Sequence, residues 1–239
     1  MTRLDIIAAL PGELKPLVRG WESSVAKDGT RKWTHRANAH VWIAVCSGMG
    51  ADAARRAFAA AQADGPLGMV LSVGWAGAVI PDLQPGEVRA MSHIVDAQTG
   101  EQFHLTDGKR QLTLITTARV ANKAEKSRLR ETYRGAVMVD MEAATVARLA
   151  QMRGIPFGCI KGVSDGASAL LPDLNRFISP AGDLRMAPFL AHLAVRPRYW
   201  PSIAQLGRNS AKAAQAMADL ILKFMEERSI ERLNRTGHP

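Results

Sequence analysis

The chain has 239 residues, 47% of them hydrophobic and 22% charged, and a formal net charge of +9. This length and apolar content are enough for one well-packed core. We therefore expect a single domain over residues 1–239, in which residues 168–239 form an extended helical C-terminal segment. Because the sequence has no run of eighteen apolar residues and its start leads directly into a strand, we expect no transmembrane helix, no signal peptide and a cytoplasmic protein.

The positive charge is compatible with binding to nucleic acid or to an anionic surface. Residues 180–239 hold 9 Lys and Arg against 5 Asp and Glu, so the C-terminal segment is enriched in basic residues and could touch a membrane surface. The aromatic and glycine-rich motifs of nucleic-acid binders are missing, and we expect no nucleic-acid partner. Cys46 and Cys159 lie in apolar strand-like runs, which is typical of reduced core thiols, and the six histidines lack ligand spacing, so no metal site is predicted.

Short apolar runs alternate with helical patterns along the chain. Strands are predicted at residues 4–10, 41–47, 69–73, 90–97, 112–117 and 157–163, with a turn at 83–88 that leads into a further strand. Helices are predicted after the turn at 11–13 and at 51–63, 123–133, 141–153, 184–193 and 203–227, with a loop over 167–183. This alternation predicts an α/β three-layer sandwich, whose largely parallel, twisted mixed sheet is flanked by helices.

Three carboxylates stand at predicted strand ends or helix starts. Glu13 follows the first strand, Glu142 begins a helix just after Asp140, and Asp165 ends the strand at 157–163. Glu13 and Glu142 have an ordinary explanation as acids at a helix start, where the macrodipole favours negative charge, but Asp165 ends a core strand and does not. Open α/β sheets place their ligands at the carboxyl ends of strands, so the three acids can also converge on one pocket.

Two glycine-containing stretches follow predicted strands. They are Gly48-Met49-Gly50 and Gly74-Trp75-Ala76-Gly77. Glycines at such junctions let backbone amides approach an anion or a hydroxyl-rich ligand. A pair of glycines is not specific by itself, and the order of all the motifs carries more information.

In that order the motifs resemble the nucleoside phosphorylase and nucleosidase superfamily, which includes methylthioadenosine/S-adenosylhomocysteine nucleosidase. The resemblance rests on the strand ending in Glu13, residues 47–50, residues 74–77, Asp140-Met141-Glu142-Ala143 and Ser164-Asp165. It implies a mixed sheet flanked by helices, a homo-dimer or larger homo-oligomer, and an enzyme without a cofactor. The implied reaction cleaves the N-glycosidic bond of a purine nucleoside and releases the base.

The resemblance also assigns roles. Asp165 would protonate or hydrogen-bond N7 of the purine, Glu142 would bind the ribose hydroxyls, and Glu13 would orient the attacking water. Substrate contacts would come from Met141 against the sugar and from Gly48, Met49, Gly74, Trp75, Ala76 and Ser164. These roles suit a glycosidic bond that breaks through an oxocarbenium-like state, although Asp165 can serve as the acid only if dry surroundings keep it protonated at neutral pH.

Hydrolysis and phosphorolysis are both open to this superfamily. Its phosphorylases carry an arginine and a serine for phosphate at the places where this chain has Ser72 and Trp75. Glu13 also stands where nucleosidases have their water-orienting acid, and a carboxylate there repels phosphate. We therefore expect water as the nucleophile, while phosphate remains the co-substrate of the alternative, with its candidate ligands at Lys15, Arg19 and Arg55.

The segment after Asp165 resembles the hopanoid-associated phosphorylase branch, through residues 170–172, 179–184 and 193–197. That resemblance implies adenosylhopane as substrate and adenine as product, with Trp75 and Trp200 adding apolar surface. The segment could equally pack on the core or build a subunit interface. Two non-enzymatic alternatives are a nucleoside-binding regulatory protein, in which Trp75 blocks the site, and a nucleic-acid binder, which is suggested by the charge alone.

Overall fold

Eleven strands form one mixed sheet in the structure, a computed structural model. The structure describes residues 2–37, 40–105 and 112–236. Side chains are described for all of these residues except 2 and 228–236. The strands are β1 (Thr2–Ala8), β2 (Glu22–Val25), β3 (Arg31–Ala37), β4 (His40–Cys46), β5 (Met69–Ala78), β6 (Val88–Ala90), β7 (His93–Asp96), β8 (Gln102–His104), β9 (Thr113–Thr116), β10 (Ala136–Asp140) and β11 (Phe157–Asp165). Their main order is β2-β3-β4-β1-β5-β10-β9-β7-β8, and β11 pairs with β5 and β6.

The parallel strands at the centre of the sheet create the edge at which the polar motifs meet. Strand β1 pairs in parallel with β4 and β5, and β5 pairs in parallel with β11, so their carboxyl ends point the same way. Strand β10 runs antiparallel to β5, with Val139 opposite Gly77. Asp165 of β11 is opposite the same Gly77. The ends of β10 and β11 therefore meet beside the last residues of β5.

Helices cover both faces of the sheet, because alternate side chains of a strand point to opposite faces. Leu4, Ile6 and Ala8 of β1 pack in one cluster with Met217 and Ile221 of the last helix. Ile7 packs on the other face with side chains of two further helices. The helices are α1 (Pro11–Leu14), α2 (Ala51–Gln62), α3 (Lys123–Thr132), α4 (Ala143–Gln151), α5 (Met186–Ala194) and α6 (Trp200–Thr236), with 3₁₀ turns at Leu174–Phe177 and Pro197–Tyr199.

The predicted α/β fold with a mixed sheet is confirmed, and several local predictions are wrong. The stretch 74–77 is the second half of β5 instead of a loop, since its backbone pairs with both β10 and β11. The predicted strand at 90–97 is divided between β6 and β7, and α1 is a single turn. Strands β2 and β3 were not predicted, because their side chains are mostly exposed and show no apolar alternation.

The C-terminal segment belongs to the core. The face of α6 that carries Ala213, Ala214 and Met217 is fully buried, and Ala213 lies so close to Gly162 of β11 that a Cβ there would be 2.9 Å away. Within the described part of the chain, no helix combines the length and the apolar character that a membrane span needs.

Candidate active site

A cavity of about 650 Å³ lies between the strand ends and the C-terminal helices. Its lining includes most of the predicted site residues, namely Glu13, Met49, Trp75, Ala76, Met141, Glu142, Ser164 and Asp165. Gly48 and Gly74, the other two predicted contacts, are not part of this lining. Residues from distant parts of the chain therefore surround one space, as the strand order requires.

Glu13 is held rigidly by backbone amides. Its Oε2 accepts hydrogen bonds from the N–H groups of Ala9 and Leu10, both at 2.8 Å, and its Oε1 accepts one from Trp75 N–H at 2.7 Å. Burial raises the pKa of this carboxyl above its ordinary value, while the three amides and the Lys161 ammonium oppose the shift. A buried carboxylate of raised pKa at a cavity wall is suited to accept a proton from water.

Gly74 makes this arrangement possible instead of contacting a ligand. A Cβ on Gly74 would lie 2.7 Å from Oε1 of Glu13, and its φ of +153° is unfavourable for other residues. The predicted role of Gly74 in substrate contact therefore becomes a role in positioning Glu13.

Glu142 lies at the start of α4, where its Oε1 accepts a hydrogen bond from Gly50 N–H at 2.6 Å. Burial raises the pKa of Glu142 to about 7, the neighbouring Asp140 carboxylate adds to the shift, and Lys161 opposes it. Oε2 of Glu142 accepts no hydrogen bond from the described residues, and the side chain lines the cavity. Glu142 is thus able to accept hydrogen bonds from a ligand's hydroxyl groups.

Behind Glu142 is a buried ion pair that the sequence analysis missed. Lys161 Nζ lies 2.8 Å from Asp140 Oδ2, with 1% and 0% of the two side chains exposed. Asp140 also accepts hydrogen bonds from Thr116 Oγ1 at 2.7 Å and from Ala143 N–H at 2.9 Å. Burial alone would lower the pKa of Lys161, but the Asp140 carboxylate outweighs it and raises the pKa above its ordinary value. The pair fixes the start of α4 and hence Glu142.

Asp165 does not stand alone in dry surroundings, which was the condition for its acting as the acid by itself. Its Oδ2 accepts a hydrogen bond from Lys126 Nζ, and its Oδ1 accepts one from Ser164 Oγ at 2.6 Å. Lys126 comes from α3, is 3% exposed, and also donates to Gly166 O at 2.9 Å. The site therefore contains a buried lysine, bonded to Asp165, that the sequence analysis did not identify.

The glycine loop after β4 is closed instead of open to an anion. Gly48 N–H donates to Ala9 O at 3.0 Å, Met49 N–H donates to Gly182 O at 2.8 Å, and Gly50 N–H binds Glu142. The expectation that these amides would meet a ligand is therefore wrong for this structure. Met49 and Met141 still present side chains to the cavity.

Trp75 forms a wall of the cavity and does not fill it. Its Nε1–H donates to Ser210 O of α6 at 2.9 Å. Its ring packs over Gly12, where a Cβ would lie 2.8 Å from the indole. The indole thereby joins the acidic half of the cavity to the C-terminal helices.

The opposite half of the cavity is apolar. It is built by residues that follow Asp165 in the chain, on α5, α6 and the segment before them, namely Leu171, Leu174, Ile178, Leu184, Met186, Phe189, Ile203, Leu206 and Ala211. A ligand that fits this cavity combines a polar end, close to the acids, with a large apolar end.

Of the predicted phosphate ligands, Lys15 lines the cavity and Arg19 and Arg55 do not. Arg55 instead pairs with an exposed aspartate of its own helix. Arg119, a further cation in the lining, pairs with a glutamate of α3. Because Glu13 lines the same cavity, an incoming phosphate would meet a carboxylate as well as Lys15.

Comparisons with known proteins agree with this architecture. The backbone is similar to the 5′-methylthioadenosine/S-adenosylhomocysteine nucleosidase of Helicobacter pylori, with a TM-score of 0.70, 15% identity, and coverage of 95% of this chain and 98% of that chain. It is also similar to futalosine hydrolase of Helicobacter pylori, with a TM-score of 0.70, 16% identity and coverage of 95% and 98%. A third similar structure is the S-adenosylhomocysteine nucleosidase of Streptococcus pyogenes, with a TM-score of 0.70, 19% identity, and coverage of 95% of this chain and 97% of that chain.

At these identities the structural similarity establishes the fold. No curated protein sequence matches the chain. The family model described as Phosphorylase superfamily matches residues 3–114 and 99–179, which together span more than half of the chain. The chain therefore belongs to the phosphorylase superfamily.

Proposed function

We propose that the protein cleaves the N-glycosidic bond of an adenine nucleoside that carries a large apolar 5′ substituent, and releases adenine with water as the nucleophile. The observation that carries this proposal is the cavity itself, in which Glu13, Glu142 and Asp165 line one half and apolar side chains line the other. The solved structures with this fold include nucleosidases of methylthioadenosine and S-adenosylhomocysteine, which supports the reaction class.

The three acids divide the chemistry. Cleavage of the glycosidic bond develops positive charge on the sugar and negative charge on the base. Glu142 accepts hydrogen bonds from the ribose hydroxyls and places negative charge beside the sugar. Burial raises the pKa of the Glu13 carboxyl. The Glu13 carboxylate orients a water molecule and accepts a proton from that water as it attacks the sugar.

Lys126 changes how the leaving base receives its proton. Asp165 accepts hydrogen bonds from Lys126 and Ser164, so in the resting site it is an acceptor. We assign the proton to the Lys126 ammonium. As the bond to the sugar breaks, one proton moves from the Lys126 ammonium to the Asp165 carboxylate and from there to N7 of the base, so that Lys126 ends as the neutral amine and Asp165 again as the carboxylate.

Water is favoured over phosphate by the same geometry. The amides of the loop at 48–50 are occupied, and Lys15 lines the cavity together with the Glu13 carboxylate. A phosphate-dependent reaction remains the alternative, and it would use Lys15.

The apolar half of the cavity favours a substituent much larger than a methylthio group. The resemblance of residues 168–239 to the hopanoid-associated branch makes adenosylhopane the candidate substrate, with the hopane skeleton against α5 and α6. Methylthioadenosine or S-adenosylhomocysteine is the second candidate, and it is favoured by the names of the structurally similar enzymes.

The test is to incubate the protein with adenosylhopane, methylthioadenosine, S-adenosylhomocysteine and inosine, with and without phosphate, and to quantify the free base. We expect adenine from adenosylhopane without phosphate, and at least a hundredfold loss of rate in Asp165→Asn and in Glu13→Gln. No free base from any substrate would overturn the proposal, and intact bound nucleoside after long incubation would indicate a binding protein. A requirement for phosphate would overturn the hydrolytic step alone.

A further inference from the structure

Helix α5 exposes apolar side chains over most of its surface. Between residues 186 and 194 it carries no charged residue, and among its exposed positions are Met186 at 51% and Leu190 at 56%. The patch continues into Val195, 73% exposed, and Trp200, 54% exposed. We call these exposed residues the α5 surface. A surface helix normally shows a polar face to water, and this one does not.

The α5 surface is held firmly by the opposite side of the helix. Phe189 and Leu193 are buried in a cluster with Phe177, whose ring meets that of Phe189 edge-on at 5.4 Å. Trp200 Nε1–H donates to Leu193 O at 2.8 Å, at the end of α5. The polar group of the indole is therefore satisfied within the protein, and its ring remains exposed. The apolar side chains belong to a packed element.

Arginines border this surface. Arg176, Arg185, Arg196 and Arg198 lie in the segments that precede and follow α5, and the side chain of Arg176 is 70% exposed. The acids in residues 168–200 are Asp173, which pairs with Arg176, and Asp183. Apolar side chains within a basic border match the boundary between the acyl chains and the anionic headgroups of a bilayer.

The cavity lies against helix α5. Met186 is half exposed and also lines the cavity, and Phe189 of the same helix lines it from its buried side. Helix α5 therefore contributes side chains both to the cavity lining and to the exposed apolar surface. An apolar substituent could pass between them without crossing water.

We propose that the α5 surface docks on an anionic lipid bilayer, with Leu190, Val195 and Trp200 inserted below the headgroups and the arginines among the phosphates. Docking places the cavity mouth at the membrane. The further step, in which the 5′ substituent enters from the bilayer, rests on the proposed function.

A second copy of the chain is a poorer occupant. A two-fold interface brings the same patch of both copies together, so the basic border of one copy would face that of the other. Of the two acids in this segment, Asp173 already has a partner. A bilayer with anionic headgroups supplies the complementary charge.

The experiment is co-sedimentation of the full-length protein with phosphatidylglycerol/phosphatidylcholine vesicles, at physiological salt and without substrate. The test variant is Leu190→Glu/Val195→Glu, because neither side chain lines the cavity. The matched control is Val25→Glu, since Val25 on β2 is 65% exposed and lies outside this surface. We expect wild type and Val25→Glu to bind, and the double variant to bind at least tenfold more weakly with unchanged turnover of methylthioadenosine.

Equal vesicle binding by wild type and the double variant would overturn the proposal, as would no binding by wild type. Light scattering on the same proteins provides a second readout. If the double variant converts a dimer into a monomer, the surface belongs to a second copy and the proposal is wrong. Because binding is measured without substrate, these results stand apart from any failure of the proposed reaction.

Discussion

The raised pKa of Glu142 makes the activity dependent on pH in a specific direction. With a pKa of about 7, set by burial and by Asp140, the carboxyl changes from mostly neutral to mostly ionised across neutrality. In our assignment only the ionised form binds the ribose hydroxyls. One unit below the pKa about 9% of the group is ionised, and one unit above it about 91%. Productive binding should therefore rise about tenfold between pH 6 and pH 8.

The assay is adenine release at low substrate concentration, because kcat/KM reports the ionisation of the free enzyme. We expect kcat/KM to climb through pH 7 in the wild type. In Glu142→Gln we expect a much lower value without this step, since the amide does not ionise. With a 2′-deoxy substrate, the Glu142→Gln substitution should change kcat/KM much less than it does with the riboside. A flat wild-type profile between pH 6 and pH 8, or an unchanged step in the variant, would refute the assignment.

Three more predictions follow from buried groups. Lys126→Met and Lys126→Arg should each lower kcat by about 10²–10³-fold in steady-state adenine release, because a guanidinium keeps its proton; a Met or Arg variant of wild-type kcat would remove the lysine from proton transfer. Lys161→Met should lower the free energy of urea unfolding by about 3–5 kcal/mol, because Asp140 is left buried without a cation. The double variant Lys161→Met/Asp140→Leu should recover most of this loss. A loss below about 1 kcal/mol in the single variant would contradict the pairing. Burial raises the pKa of Cys46 and Cys159 to about 12, so at pH 8 neither thiol should react with a thiol reagent until the protein is unfolded, and rapid labelling of the native protein would count against this.

The sequence predicted that the three acids would line one pocket, because their positions follow from strand order. Glu13 and Asp165 come directly after core strands that pair in parallel through β5, so their meeting was a consequence of topology. Their partners were harder to predict. Lys126 is part of a helix rich in charged residues, where nothing in the sequence distinguishes it from the exposed lysine at 123.

Lys161 did leave a signal that could have been used. It interrupts an apolar strand between Ile160 and Gly162, and a lysine in such a place is almost never fully buried without a partner. Asp140, the acid that ends another buried strand, was the natural candidate. What the sequence could not supply was the antiparallel pairing of β10 with β5, which brings Asp140 beside β11.

For the glycine motifs, the sequence predicted ligand contacts where the structure has internal ones. Gly48 and Gly74 suggested backbone amides that were free for a ligand, yet both serve internal packing. Gly182 O accepts the Met49 amide, and Arg56 donates to Ser47 O at 2.8 Å and to Ala181 O at 2.6 Å. The contacts of Ala181 and Gly182 come from the segment after Asp165, whose path has no periodic pattern and could not be predicted.

The division of the cavity between two parts of the chain has a consequence for specificity. The acids and their cations come from residues before 166, on strands β10 and β11, on helices α1 and α3, and at the start of α4. The apolar wall comes from α5, α6 and the segment before them, and Trp75 connects α6 to the acidic residues by its hydrogen bond to Ser210. Substitutions in the later segment can therefore change which 5′ substituent fits without displacing the groups that act on the glycosidic bond. The same segment carries the α5 surface, so selection for an apolar substituent and for contact with its source acts on one continuous stretch of sequence.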